Sequence, residues 1–168
     1  MAKIAIVGAG GYVFPLRLIG DLLSFPALRG STLSLMDIDL PGAERTAAAA
    51  RELAAHHGFP TRIEATDERE RALDGADYVI VTFQVGGVEA YYHDVHIPRK
   101  CGLDQTVGDT LGPGGVFRFL RSAPAYRAIA EDMYRLCPDA LLVNYANPWR
   151  KLHGTLGRTG DRFRLTPN

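Results

Sequence analysis

Residues Lys3 to Gly8 form a short apolar run closed by glycine, and the chain then turns through Gly8-Ala9-Gly10-Gly11 into a helical pattern. No other feature constrains the fold as much. A continuous apolar run is the pattern of a strand buried on both faces, and such strands belong to parallel sheets covered by helices. After the turn, Phe14, Leu16, Leu18, Ile19, Leu22, Leu23 and Phe25 recur at helical spacing and stop before Pro26. The residue preceding a proline is pushed out of the helical region, so the helix ends there.

The same alternation continues. Leu33 to Asp37 reads as a second strand, ending on a carboxylate, and residues 42–57 are an alanine-rich helix closing near Gly58. His56 and His57 sit at that helix end, where a cationic side chain suits the negative dipole. A third strand is expected at Arg62 to Ala65 and a β-branched one at Asp77 to Phe83. Residues 84–114, rich in Gly and Pro, are expected to form a long functional loop with little regular structure. Phe117 to Leu136 reads as a helix interrupted or kinked at Pro124, and Ala140 to Tyr145 as the last strand. Strand and helix in strict turn predict an α/β fold, a Rossmann-like doubly wound parallel sheet with right-handed crossovers.

With 168 residues the chain suits one domain. Basic and acidic residues number 19 each, which argues against nucleic acid or a polybasic membrane contact, because both need a strong cationic field. No run approaches the length of a membrane span, the amino terminus does not read as a secretory signal, and Cys101 and Cys137 cannot build a disulfide framework. A reducing cytoplasm is therefore expected. The balance conceals an asymmetry: residues 149–168 carry Arg150, Lys151, Arg158, Arg162 and Arg164 against Asp161 alone, a net of +4, leaving −4 for residues 1–148. The expected organisation is a dinucleotide-binding domain at 1–148 and an atypical basic tail at 149–168.

Glycine at position 8 permits the tight turn, and Gly10 lets backbone approach a pyrophosphate, with Gly11 alongside. The following helix points unpaired N–H groups at that anion. The third position of the usual fingerprint is Val13 here. Asp37, at the end of the next strand, would accept hydrogen bonds from ribose hydroxyls and repel a 2′-phosphate, which favours NAD over NADP. Asp39 stands close enough to compete for that role. The plain alternative is a tight strand-to-helix turn with no ligand.

Several segments taken together resemble family 4 of the glycoside hydrolases, in its α-galactosidase and α-glucosidase branch. They are Gly8-Ala-Gly10, Leu35-Met-Asp-Ile-Asp39, Gln84-Val-Gly-Gly87, Ile97-Pro-Arg-Lys100, Asp104-Gln-Thr-Val-Gly-Asp-Thr-Leu-Gly-Pro-Gly-Gly115 and Asn144-Tyr-Ala-Asn-Pro148. The resemblance spans residues 3–148. It implies a glycosidase that binds NAD and Mn²⁺ in place of two flanking carboxylates. Cleavage would proceed by oxidation at C3 of the sugar, proton loss at C2, elimination of the leaving group, water addition and re-reduction.

Carried over residue by residue, the resemblance implies cofactor contacts from Gly8, Gly10, Gly11 and Asp37, and from the Gln84-Val85-Gly86 turn. Asn147, and less directly Asp109, would face the sugar. Where the phospho-sugar branch carries an arginine, this chain has Tyr91, which favours an unphosphorylated glycoside. The family's metal-binding cysteine and histidine and its acid and base residues have no match here, so no catalytic or metal ligand is assigned within the chain. The expectation is a truncated or frameshifted product, inactive alone, for which the family's homo-oligomer is doubtful.

Other features have competing readings. His93 and His96 have metal-like spacing but make an incomplete site. Cys137 reads as packing, and Cys101 lacks a neighbouring base. Gly112-Pro-Gly-Gly115 reads either as a backbone anion site or as a hinge. Arg118 and Arg121, one turn apart, read as facing either substrate or solvent, with solvent the commoner outcome. Two other functions compete with the glycosidase: a 2-hydroxyacid dehydrogenase, which shares the strand-glycine-Asp site, and a non-catalytic NAD-binding module.

Overall fold

A computed structural model describes residues 1–105 and 110–148, together with the backbone of residues 165 and 166. The elements are β1 (Lys3–Val7), α1 (Phe14–Ser24), a 3₁₀ turn (Pro26–Leu28), β2 (Thr32–Met36), α2 (Leu40–His56), β3 (Arg62–Thr66), α3 (Arg69–Leu73), β4 (Tyr78–Val81), α4 (Gly87–Lys100), α5 (Gly112–Leu136), β5 (Leu141–Asn144) and β6 (Leu165–Thr166). The described strands make one six-stranded sheet in the order β3-β2-β1-β4-β5-β6, and each pairing is parallel. This is the doubly wound α/β order, with its switch point between β1 and β4.

The chain divides into two compact units, the first comprising Met1–Phe83, Asp132–Asn144 and Arg162–Asn168, the second Gln84–Glu131 and Tyr145–Asp161. The first holds the sheet. Ile6 lies opposite Leu35 on one side and Ile80 on the other, so alternate side chains of three strands share a face. That face packs against Leu18, Ile19 and Leu23 of α1 and Ala47, Ala50 and Ala54 of α2. Each leucine or isoleucine removed from water contributes about 1.5–3 kcal/mol, and the small alanines let α2 lie close. Ala5, Val79 and Val81 alternate to the opposite face and are fully buried.

Capping explains the helix ends. At the end of α1, the Arg29 guanidinium donates to the carbonyls of Leu23 and Ser24 at 3.1 Å each, groups that a helix terminus leaves without partners. His56 lies in the last turn of α2, and the His57 ring stacks on Phe59, in keeping with the structural role expected of the pair. Lys3 closes the short α3 by donating its ammonium to the carbonyls of Asp74 and Arg71. Arg69 pairs with Asp132 at 2.6 Å, tying α3 to the last turns of α5.

Three expectations are corrected. Residues 84–114 are not a loop throughout, since α4 occupies Gly87–Lys100. Its glycines cluster outside the helix or at its first residue, and Pro98 falls in the last turn, so the composition that suggested a loop comes from the flanks. The helix predicted from Phe117 begins at Gly112 and runs through Pro124 without interruption. Proline there removes one N–H, and the helix absorbs the loss. The strand reading stopped at Tyr145, whereas Leu165–Thr166 pairs with β5; two residues carry no periodicity to detect. The rest of the basic tail expected at 149–168 lies outside the described residues.

Cys137 is buried and Cys101 exposed. Burial pushes the Cys137 thiol up to about 11, with Lys3 pulling down and Asp74 pushing up. A raised thiol pKa stabilises the fold below the ordinary value of 9.0, and that contribution is lost as pH rises toward the folded value. Thermal unfolding followed by circular dichroism should therefore show falling stability between about pH 9 and 11, and Cys137→Ser should flatten that slope. A slope unchanged by the substitution would count against this assignment.

Candidate functional site

In the sheet unit, the carboxyl ends of β1 and β4 lie at the switch point, where open α/β sheets bind ligands. Gly8 takes φ +97° directly after β1, and a Cβ there would sit 2.6 Å from the Phe83 backbone nitrogen. Its N–H donates to the Met36 carbonyl at 2.9 Å, and its own carbonyl accepts from the Thr82 hydroxyl at 3.0 Å. Glycine is therefore required on two counts, conformation and space.

Gly10 donates its N–H to Asp37 Oδ2 at 2.8 Å, and a Cβ on Gly10 would lie 2.9 Å from the Asp37 carboxyl carbon. The other carboxylate oxygen accepts from the Asp39 N–H at 3.0 Å. Asp37 thus braces the glycine loop while retaining lone pairs for a hydroxylated ligand. Asp39 points to a different partner, a solvent-exposed ion pair with Arg45 at 3.7 Å, of a kind that contributes little. Gly11 is exposed, its N–H 3.5 Å from the Gly8 carbonyl. Helix α1 starts at Phe14 with no side-chain cap among the described residues. Apart from Pro15, which carries no N–H, its first-turn N–H groups are thereby left for an anion. A loop of three glycines and one alanine, a helix amino terminus and a carboxylate beyond it suit a dinucleotide.

Two residues absent from the sequence reading hold this loop. A Cβ at Gly42 would come within 3.1 Å of Gly10 Cα, so α2 can approach the loop only with glycine there. Thr46, one turn on, donates its buried hydroxyl to the Ala9 carbonyl at 2.7 Å. Both are hidden inside an alanine-rich helical pattern; a glycine placed early in such a helix, against propensity, is the one signal that could have found them.

In the second unit, the Gln84-Val85-Gly86 turn precedes α4. Gln84 closes it, its amide donating to the Gly87 carbonyl at 2.9 Å, and Gly86 takes a left-handed φ of +86°. Arg121 and Arg118 do not face solvent as expected. Arg121 forms a two-pronged pair with Asp94 at 3.0 and 2.6 Å and donates Nε to the Val85 carbonyl at 2.9 Å. The Asp94 contact holds the Arg121 guanidinium above its usual range, against the downward pull of burial. Arg118 is 8% exposed and donates Nε to the Asn147 carbonyl at 3.0 Å. The error came from judging a helix face without its neighbour: Asp94 lies in the segment taken for loop.

The remaining candidates fall as follows. Asn147 is exposed, with its backbone held by Arg118. Asp109 lies outside the described residues. Tyr91 lines a cavity of about 330 Å³ with Val88, Tyr92, His96, Arg99 and Gln105. His93 and His96 lean on Tyr92, His96 stacked at 3.8 Å. Among the described residues no three His, Cys, Asp or Glu side chains converge as a metal site. At the start of α5, the Gly114 N–H already donates to Gln105 Oε1 at 3.4 Å, so one of the backbone groups considered for an anion has a partner.

The architecture and the glycine loop define a Rossmann-like dinucleotide fold. The sequence pattern of family 4 glycosyl hydrolases matches residues 3–164, and the chain belongs to that family. It is 40% identical over 159 residues to an alpha-galactosidase of Bacillus subtilis, covering 94% of this chain and 37% of that protein. It is 38% identical over 162 residues to an alpha-galacturonidase of Thermoanaerobacter italicus, covering 96% and 35%. A 6-phospho-beta glucosidase of Thermotoga maritima, solved with manganese, NAD⁺ and glucose-6-phosphate, superposes with a TM-score of 0.78 at 27% identity over 88% of this chain and 34% of that one. The chain therefore spans about a third of the length of the relatives it matches, and it resembles the NAD-binding module of such enzymes. Among the described residues no helix is long and apolar enough to cross a membrane.

Proposed function

We propose that this chain is the NAD-binding part of a family 4 glycosidase acting on the O-glycosyl bond of an unphosphorylated α-galactoside or α-glucoside in the cytoplasm, with Mn²⁺ held by residues other than those described. On this reading residues 1–148 form the cofactor domain and 149–168 a basic tail. Bound NAD supplies a hydride acceptor and donor, so that sugar C3 is oxidised and re-reduced within one turnover. The chain's own residues bind and orient. Backbone at Gly8, Gly10 and Gly11 lies beside the pyrophosphate, Asp37 accepts from the ribose hydroxyls, and Gln84, Val85 and Gly86 border the cofactor. Asn147 and Asp109 face the sugar, and Tyr91 offers no cation to a phosphate.

The observation that carries this reading is the contact between Gly10 and Asp37, with an N–H to carboxylate distance of 2.8 Å and no room for a Cβ between them. It sets a carboxylate at the loop where a ribose would lie. Isothermal titration of the 168-residue chain should show saturable NAD⁺ binding, with NADP⁺ at least about tenfold weaker because a carboxylate repels the 2′-phosphate. A nitrophenyl α-galactoside should not be turned over by the chain alone. No saturable binding of NAD⁺ would overturn the proposal.

A further inference from the structure

We infer that Arg121 and Asp94 are positioning residues that clamp the Gln84–Gly87 turn in the shape a dinucleotide needs; the inference rests on reading that turn as part of the cofactor site. Asp94 is 1% exposed, and the Arg121 side chain 24%. An ion pair taken out of water in this way adds little to stability compared with apolar side chains of the same volume. What this pair does provide is direction. With both terminal nitrogens fixed on one carboxylate, the planar guanidinium can aim Nε along one line only, and that line ends on the Val85 carbonyl.

The turn itself has no slack. At Gly86 a Cβ would meet Ala90 Cβ at 2.5 Å and Arg121 Cδ at 3.2 Å, so the arginine stem packs directly against the left-handed residue. Gln84 closes the opposite side through the Gly87 carbonyl. Each backbone carbonyl of Val85 and Gly87 is therefore held by a side chain, one from α5 and one from the turn. Such a turn presents a single arrangement to a ligand, and ligand binding need not pay for ordering it.

Lysine at 121 keeps the charge but loses the fork, and cannot hold Asp94 and Val85 together. Arg121→Lys should weaken NAD⁺ binding about tenfold while leaving AMP, which lacks the nicotinamide half, bound as before. The double variant Asp94→Leu, Arg121→Met leaves no uncompensated charge, so it should retain the fold and lose NAD⁺ affinity by a similar factor. NAD⁺ binding unchanged in both variants, or NAD⁺ and AMP weakened together, would overturn the clamp. Should the wild-type chain bind neither nucleotide, the cofactor reading fails, and amide exchange at Val85–Gly87 still decides the clamp. About tenfold faster exchange in Arg121→Lys supports it, and unchanged exchange overturns it.

Discussion

Gly8→Ala is expected to lower the unfolding free energy by about 3 kcal/mol, combining the cost of a positive φ with the clash of a rigidly placed methyl. The two contributions can be separated within the same unit. Gly58 also has positive φ, +65°, but nothing lies within 4 Å of a Cβ built there. Gly58→Ala should therefore cost only the conformational part, about 1 kcal/mol. At Gly8 the obstacle is the Phe83 backbone nitrogen at 2.6 Å. That backbone follows the end of β4 and is anchored by the Thr82 N–H on the Val7 carbonyl at 2.9 Å, so it cannot swing aside as a flexible side chain can. In urea, a 3 kcal/mol loss shifts the midpoint down by about 1.5 M for a typical slope near 2 kcal/mol per M. Equal midpoints for the two variants would show that the β1 and β4 ends can part, and that the loop is less firmly seated than its geometry indicates.

Asp37→Ala should reduce NAD⁺ affinity by about 100-fold, since charge-assisted hydrogen bonds are worth about 1.5–3 kcal/mol each. Two effects act in the same direction. The ribose hydroxyls lose their acceptor, and the Gly10 and Asp39 N–H groups lose the carboxylate that holds them at 2.8 and 3.0 Å. Discrimination against NADP⁺ should shrink as well, because the negative charge that repels a 2′-phosphate is gone. Titration of the variant with both nucleotides checks each part. Asp37→Asn refines the test: it keeps acceptor capacity at one oxygen and removes the charge, so it should relax discrimination more than it weakens NAD⁺. An Asp37→Ala variant that binds NAD⁺ like the wild type would exclude this residue from the cofactor site.

The sheet was legible because buried parallel strands announce themselves as unbroken apolar runs, such as Ile4 to Val7 and Tyr78 to Val81. The glycine loop and Asp37 were legible because strand, glycine and carboxylate follow one another at short spacing. Helix α4 was not. Its interior mixes His, Asp and Tyr with only Val88, Val95 and Ile97 as branched aliphatics, and glycines on either side dominate any window drawn across it. Asp94 illustrates the deeper difficulty. A buried aspartate is indistinguishable in sequence from an exposed one until its arginine is located, and Arg121 lies 27 positions away. Thr46 and Gly42 escaped for a related reason, since their role depends on backbone at Ala9 and Gly10 in another element. Periodicity reports which face of an element is apolar, and it carries no information about which polar group meets which.

The strand order has a consequence for how the chain comes together during synthesis. β1 leaves the ribosome before the strands it pairs with, and it meets β2 first because Val7 and Met36 are closer in sequence than Val7 and Val81. Its other edge stays without a partner until Val81 has been made. For that interval the half-sheet β3-β2-β1 offers a row of bare N–H and C=O groups along an apolar strand, the kind of edge that recruits strands from other chains. The nascent protein is thus most vulnerable to aggregation between the completion of Thr66 and the arrival of β4. A chaperone that shields the growing chain would protect it most in that window.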